Sequence, residues 1–366
     1  MIKVLYIVST LKRSGPTKQL LYILKDMDYN CFEVKILTLS PEVSDTLEGE
    51  FINLGVKVDS LKLNRFNGVY KSKYLIKKYI NSYLPDVIHS QGIRTDSILA
   101  RLPFKRKWIS TIRNYPPDDY SMKFGLIMGK IMSIQHFMAL KKCEYLIACS
   151  KSISNQLAVN KIKSNAIQNG VIIKQNSIRE QLLTDIERPI FISVGNLIPR
   201  KNMLTIINAF NDFKKSSENL GSLIILGDGA GKQDLLNQSC QSIYYYGNVP
   251  NVKEYLQSAD VFVSASFSEG LPNTVLEALS VGMDCILSDI PSHNELSDEF
   301  NDFCTLYGKP EDKIGLYNSF QTKLNLFVNN NLNKNLNVNM FDFASNAMSV
   351  KYQNLYKKIS FGENNG

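Results

Sequence analysis

Short, dense apolar runs recur along the chain, each followed by a longer stretch whose apolar residues return every three or four positions. Ile2–Val8 is the first run. The loop Ser9–Gly15 separates it from a helix that Pro16 opens and that reaches about Met27. Proline suits a first helical turn because its missing N–H has no intrahelical partner to lose. Strands are expected at Val34–Leu39, Asp86–His89, Lys107–Ile112 and Tyr145–Cys149, with a helix over Tyr70–Leu84. The polar stretch Asn169–Glu187 breaks the rhythm, and a hinge is expected near residues 172–187. Beyond it, strands are expected at Pro189–Gly195, Ser222–Leu226, Asp260–Ser264 and Asp284–Leu287, and helices over Asn202–Lys215 and Pro272–Val281. Asn329–Asn339 is asparagine-rich and reads as a surface connection. A last helix, about Phe341–Ile359, places Tyr352, Leu355 and Tyr356 on one face. Short apolar strands alternating with helices imply parallel sheets covered on both faces. The chain thus reads as two open α/β domains, residues 1–172 and 188–340, with no internal repeat. Ligands of such sheets bind beyond the carboxyl ends of the strands, and two domains make the cleft between them the natural site.

Composition narrows the classes. With 366 residues, 44% hydrophobic and 21% charged, the chain is neither disordered nor fibrous. No run approaches the ~18 consecutive apolar residues of a transmembrane helix, and the N-terminus reads as a first strand rather than a signal peptide. Six cysteines form no C-x-x-C pair, and three histidines complete no metal-ligand spacing, so a structural zinc site is excluded and a reduced, cytosolic compartment is expected. The net charge of +8 divides into +14 over residues 1–174 and −6 over residues 175–366. One half therefore faces an anionic partner, for which nucleic acid, anionic lipid and a phosphorylated substrate all qualify.

Two segments carry chemistry. In Ser266–Gly282, Glu269 lies in a loop after a strand and Glu277 lies eight residues on, inside a helix. Free N–H groups of Asn273 and Thr274 at that helix start favour an anion. Glu277 could grip two vicinal hydroxyls bidentately, as a carboxylate does with ribose. The plainer alternative is that Glu269 and Thr274 cap a surface helix and Glu277 is solvated. In Val194–Asn202, Arg200 and Lys201 stand between a strand and a helix, where adjacent cations suit a diphosphate. The alternative is a solvated surface pair.

These residues bring a family into view. Glu269-x7-Glu277-Ala278, with Gly195 and Arg200-Lys201 upstream, resembles the retaining glycosyltransferases of family 4, which have the GT-B fold. Asp86-Val87-Ile88-His89, Cys149-Ser150-Lys151-Ser152, Asn169-Gly170-Val171, Gly227-Asp228-Gly229, Ser258–Val263 and Ser288-Asp289-Ile290-Pro291 extend the resemblance over about residues 2–360. It implies two Rossmann-like domains, acceptor-binding then nucleotide-sugar-binding, with the helix over 341–360 packing back on the first. Glu277 would hold the ribose, Glu269 the sugar hydroxyls, and Arg200 and Lys201 the leaving diphosphate. Gly195, Gly229, Gly270, Leu271, Asn273, Thr274 and Gly15 would also line the donor. His89, Arg113 and Thr17 would meet the acceptor. No metal or other cofactor is implied, and the base is expected to be uridine. The chain departs from the family at Ser14-Gly15-Pro16-Thr17, where a glycine pair is usual. Asn196 replaces a usual arginine, and Arg113 follows a strand where a histidine is usual. Arg113 stays protonated, so it cannot act as a base. Thr111–Tyr120 resembles a subgroup that assembles bacterial surface polysaccharides; the pair Asp118-Asp119 within it reads equally well as a helix start.

Residues 120–142 are apolar and methionine-rich, with Lys123, Lys130, Lys141 and Lys142. Tyr70–Leu84 mixes tyrosines with Lys71, Lys73, Lys77 and Lys78, and Lys105-Arg106-Lys107-Trp108 adds a basic cluster. Basic amphipathic helices can lie in a membrane interface; alternatively the apolar positions are core and the lysines merely solvated. A lipid-diphosphate-linked sugar or glycan is the acceptor such a surface suits, so the expected location is cytoplasmic, peripheral at the inner face of the membrane. Competing readings are a nucleotide-sugar 2-epimerase and a catalytically weak glycan-binding partner of another transferase. A nucleic-acid partner is not expected, since no recognised nucleic-acid module is present. The spacing Gly227-Asp228-Gly229-Ala230-Gly231 lacks the dehydrogenase fingerprint.

Overall fold

The computed structural model describes residues 1–63, 68–103, 107–173, 182–217, 220–332 and 338–361, with only the backbone of 68–70. Residues 174–181 of the expected hinge, Lys105 and Arg106 of the basic cluster, and residues 333–337 of the asparagine-rich connection lie outside the described residues. The chain divides into two compact units, Met1–Ile172 with Asp342–Gly366, and Ile173–Phe341.

The first unit is built on seven parallel strands: β1 (Ile2–Val8), β2 (Phe32–Thr38), β3 (Lys57–Ser60), β4 (Val87–Ser90), β5 (Lys107–Ile112), β6 (Tyr145–Ala148) and β7 (Asn165–Ala166). Their order is β3-β2-β1-β4-β5-β6-β7, which reverses between β1 and β4. Successive residues of β1 serve opposite faces, as strand geometry requires. Val4, Tyr6 and Val8 join the core that the helix Gly15–Lys25 and the terminal helix Ser345–Phe361 cover. Leu5 and Ile7 join the core under the helix Gly68–Tyr83.

The terminal helix buries Met348, Tyr352, Tyr356 and Ile359, a stripe at helical spacing. The segment leading into it is pinned by the loop Asn169-Gly170-Val171. Val171 N–H donates to the Phe343 carbonyl at 2.8 Å, and Ser345 N–H donates back to the Val171 carbonyl at 2.8 Å. Gln19, fully buried, donates to the Gly170 carbonyl at 2.7 Å and accepts from the Gly170 N–H at 3.0 Å. A Cβ on Gly170 would lie 2.9 Å from the Ala344 carbonyl oxygen, so only glycine allows this approach.

Inside this face a polar network crosses from sheet to helix. The Tyr356 hydroxyl bonds the Tyr6 hydroxyl and lies 2.7 Å from His89 Nδ1; His89 Nε2 lies 2.7 Å from Thr111 Oγ1. Buried groups that lose a partner cost roughly 1–3 kcal/mol. Tyr356→Phe will therefore weaken the first unit by about 1–3 kcal/mol in urea unfolding, and its terminal-helix amides will exchange faster. Unchanged exchange would show that the network does not hold the helix.

The second unit repeats the same order in six parallel strands: β8 (Ile190–Val194), β9 (Ser222–Leu226), β10 (Ile243–Gly247), β11 (Val261–Ser264), β12 (Asp284–Leu287) and β13 (Cys304–Leu306). The sheet runs β10-β9-β8-β11-β12-β13 and reverses between β8 and β11. Its core centres on Phe191, Phe210, Phe213 and Phe320, whose rings meet mostly edge-on, as quadrupoles prefer.

Two basic helical regions turn out differently. The helix Gly68–Tyr83 buries Ser72, Ile76, Ile80 and Tyr83 and exposes Lys71, Lys73, Tyr74, Lys77 and Lys78, so Ile76 and Ile80 are core and the lysines are solvated. The helix Leu126–Leu140 is inverted. It buries Gly129, Ser133, His136 and Ala139 and exposes Ile127, Ile131, Ile134 and Met138. Leu126 and Ile127 are each 81% exposed, and Met122 and Phe124 of the preceding helix Pro116–Phe124 add to the same exposed apolar set. Buried polar bonds fix the inversion. His136 Nε2 lies 2.8 Å from Asp96 Oδ2, and His136 Nδ1 lies 2.8 Å from the Tyr120 hydroxyl. A Cβ on Gly129 would lie 2.5 Å from Ser121 Cα, so the two helices touch backbone to backbone. Among the described residues, no helix is long and apolar enough to cross a membrane.

Candidate active site

The reversal of the second sheet lies between β8 and β11, and the loops leaving these two strands meet. After β8 the chain makes a short 3-10 turn, Pro199–Lys201, and ends it at Asn202 in the left-handed conformation, with φ of 51°. Asparagine tolerates that region better than most residues. Its buried amide also donates to the Pro310 carbonyl at 2.7 Å. The Arg200 carbonyl accepts from the Phe267 N–H at 2.9 Å, which ties this turn to the loop after β11.

Glu269 stands in that second loop and takes both cations of the first. Its Oε2 lies 2.7 Å from Arg200 Nη1, and its Oε1 lies 2.6 Å from Lys201 Nζ. Ser266 Oγ donates to Oε1 at 2.9 Å, and Arg200 Nη1 also donates to the Ser268 carbonyl. The side chains of Glu269, Arg200 and Lys201 are 7%, 16% and 14% exposed, so the solvated-pair alternative does not hold. Burial by itself would raise the Glu269 pKa. The charges of Lys201 and Arg200 outweigh it and hold the carboxyl well below its usual range. Two cations and one carboxylate leave a surplus of one positive charge in a largely dehydrated place. That arrangement favours a multiply charged oxyanion.

Glycines let the backbones close around the cluster. A Cβ on Gly195 would lie 3.1 Å from Lys201 Cε, so the lysine stem passes over Gly195. A Cβ on Gly229 would lie 2.5 Å from the Leu197 carbonyl oxygen. Gly229 thus joins the loops after β8 and β9, backbone to backbone. Downstream of Glu269, Gly270 and Leu271 are buried, and Asn273 and Thr274 are half-buried in the first turn of the helix Asn273–Leu279. Pro272 stands at the N-cap of that helix and makes no side-chain cap bond, while the Glu269 carboxylate binds Arg200, Lys201 and Ser266 instead. Glu277 is half-buried on the same helix.

In the first unit the expected acceptor residues separate. His89 is fully buried at the β1–β4 reversal, with one ring nitrogen on Tyr356 and the other on Thr111. Burial, aided by the Arg113 charge, holds its pKa well below the usual value, so the ring is neutral. His89 is thus packed inside the first unit with both ring nitrogens bonded. Thr17 is buried, its hydroxyl 2.9 Å from Ser14 Oγ, and Gly15 is exposed at the start of its helix. Arg113, half-buried beyond β5, donates from Nη1 to Asn169 Oδ1 at 2.8 Å, and its buried Nη2 has no hydrogen-bond partner among the described residues. Among the described residues, no group of three His, Cys, Asp or Glu side chains is placed to hold a metal ion.

Sequence reasoning missed Ser266, which orients Glu269, and Asn202, which fixes the turn carrying Arg200 and Lys201. The serine alternation Ser264, Ser266, Ser268 was the only signal available for the first.

Twin parallel sheets, each reversing its strand order once, are the architecture of the GT-B fold. Residues 174–313 match the family model described as glycosyl transferases group 1. An O-antigen biosynthesis glycosyltransferase of Escherichia coli is 26% identical, over 98% of this chain and 99% of that one. A second E. coli relative is named a UDP-Gal:alpha-D-GlcNAc-diphosphoundecaprenol alpha-1,3-galactosyltransferase, and is 28% identical over 64% of this chain and 65% of its own. Among solved structures, sucrose-phosphate synthase of Thermosynechococcus elongatus shares the fold with a TM-score of 0.81, at 15% identity, covering 98% of this chain and 99% of that one. The chain is a glycosyltransferase similar to the family 4 enzymes of bacterial surface-polysaccharide synthesis. The epimerase alternative finds no support among these relatives.

Proposed function

We propose that the protein is a retaining, metal-independent transferase that moves a hexose from a UDP-sugar to a lipid-diphosphate-linked sugar or glycan, working against an anionic membrane surface. The buried Arg200–Lys201–Glu269 cluster carries this reading. In the reaction the bond between the sugar anomeric carbon and the diphosphate oxygen breaks. An acceptor hydroxyl forms the new bond on the same face, and its proton passes to the departing phosphate oxygen. Charge grows on the diphosphate, so Arg200 and Lys201 stabilise the transition state more than the ground state. Their charges take the place of a divalent cation. Glu277 holds the ribose hydroxyls. Glu269 and the backbone from Gly270 to Thr274, Leu271 and Asn273 included, hold the sugar, with Gly195 and Gly229 permitting close approach of the phosphates. Arg113, with Thr17 and Gly15, serves phosphate groups on the first unit. The relative named for UDP-Gal and a diphosphoundecaprenol acceptor supports both substrate classes. The exposed apolar stripe Ile127, Ile131, Ile134 and Met138, with exposed Lys123, Lys130, Lys141 and Lys142, supports a lipid surface at the acceptor side.

Thermal-shift measurement against UDP, GDP, ADP, CMP and TDP in EDTA tests the donor half. A ligand at about 100 times its Kd adds roughly 2.7 kcal/mol, so UDP will raise the melting temperature without metal. Glu277→Ala will abolish that shift. A UDP shift that appears only with Mg²⁺, or equal shifts in both proteins, would overturn the corresponding assignment.

A further inference from the structure

His293, in the first turn of the helix Pro291–Glu299, is fully buried and lies within electrostatic reach of Glu269 and Lys201. Its Nδ1 stands 2.9 Å from the Ser288 carbonyl oxygen and 3.1 Å from the Ser288 hydroxyl. A carbonyl only accepts, so Nδ1 carries the proton. Burial first, with Lys201 adding to it, outweighs the Ser288 bond and Glu269 and lowers the ring's pKa to about 4, so the ring is neutral near pH 7. Ser288 Oγ donates onward to the Ser266 carbonyl at 2.8 Å. Ser266 Oγ donates to Glu269 Oε1 at 2.9 Å. A continuous series of bonds therefore runs from His293 through two serines to the carboxylate that holds Arg200 and Lys201. Residues 265–272 lie between β11 and the helix Asn273–Leu279, outside regular structure. In a loop without a backbone ladder, side-chain bonds of this kind add to the Arg200 and Lys201 ion pairs in orienting Glu269.

We propose that His293 is a positioning residue for Glu269, donating through Nδ1 to the turn after β12 and thereby fixing, through Ser288 and Ser266, the carboxylate that grips the donor sugar. This rests on the donor-site reading above. Three substitutions separate the roles of the two ring nitrogens. His293→Asn keeps an N–H near the place of Nδ1. His293→Gln carries its amide to the region of Nε2. His293→Leu offers neither. Affinities are measured by calorimetry for UDP, UDP-glucose, UDP-galactose, UDP-N-acetylglucosamine and UDP-N-acetylgalactosamine. His293→Leu and His293→Gln will weaken the best-bound UDP-sugar about tenfold, the scale of one misplaced charged hydrogen bond, and change UDP affinity less than about twofold. His293→Asn will retain most of the sugar-dependent affinity. In a Glu269→Gln background, His293→Leu will cost nothing further, as two residues on one path require. The inference is overturned if His293→Leu weakens UDP and the UDP-sugar alike, if it weakens neither, or if glutamine rescues where asparagine does not. A wild type that binds none of the five nucleotides fails the donor-site reading itself, a distinct result.

Discussion

Lys201→Ala will lower sugar transfer by roughly 10²–10³-fold, the cost of removing one preorganised group aimed at developing charge, and will disturb folding little. Glu269 loses one partner in that variant and keeps Arg200 at 2.7 Å, so no buried charge is left alone. Arg200→Ala will behave alike, with turnover falling more than donor affinity. Glu269→Ala differs in kind. It strands two cations whose side chains are 16% and 14% exposed, and breaking a buried pair from one side typically costs about 3–5 kcal/mol. The pH dependence follows with a definite sign. The Glu269 carboxyl titrates lower when folded than when unfolded. Its contribution is therefore complete above the unfolded value, about 4.3, and fades as pH falls towards the folded value. Urea midpoints of wild type and Glu269→Gln will differ most near neutrality and converge in acid. A Lys201→Ala enzyme with near-normal turnover, acceptor supplied, would remove the cluster from the chemistry.

How much of this was legible before the structure depends on what each residue answers to. Central strands declare themselves because both faces are covered, and β1, β5, β9 and β12 fall where dense apolar runs end. The edge strands do not. β3 reads Lys57-Val58-Asp59-Ser60 and is only half-buried, and β10 exposes Tyr244 and Tyr246. An edge needs one covered face, so its apolar signal is weak. Arg200, Lys201 and Glu269 were visible as candidates, since each sits at a strand's carboxyl end. That they bind one another was not, because the pairing depends on β8 and β11 being sheet neighbours across the reversal. His89 shows the same limit from the other side. Its partner Tyr356 is 267 residues away, and only the returning helix turns a candidate ligand into a packed, neutral ring. Periodicity likewise marks Gly68–Tyr83 and Leu126–Leu140 as helices, but which stripe faces inward is decided by Asp96 and Tyr120 reaching His136.

That inward choice sets up the other large effect. A water-facing helix normally hides its apolar stripe, and here Ile127, Ile131 and Met138 are 81%, 54% and 66% exposed. Exposed apolar patches of this extent mark interaction surfaces. Exposed lysines at 123, 130, 141 and 142 flank the stripe and give it the charge that anionic headgroups complement. If each apolar side chain contributes about 1 kcal/mol by partial insertion, the triple variant Ile127→Glu, Ile131→Glu, Met138→Glu loses at least ~3 kcal/mol. Its binding to phosphatidylglycerol-rich vesicles will fall by about 10²–10³-fold. The lysines contribute differently, each about 1 kcal/mol near an anionic surface, and added salt screens that share alone. Wild type will therefore bind weakly but measurably at high salt, whereas the triple variant will fail even at low salt while still binding UDP. Helical content will be unchanged, because none of the three side chains contributes to the buried stripe Gly129, Ser133, His136 and Ala139. Wild type that stays in solution with such vesicles at low salt would leave the inverted helix to some other partner and remove the membrane from the mechanism.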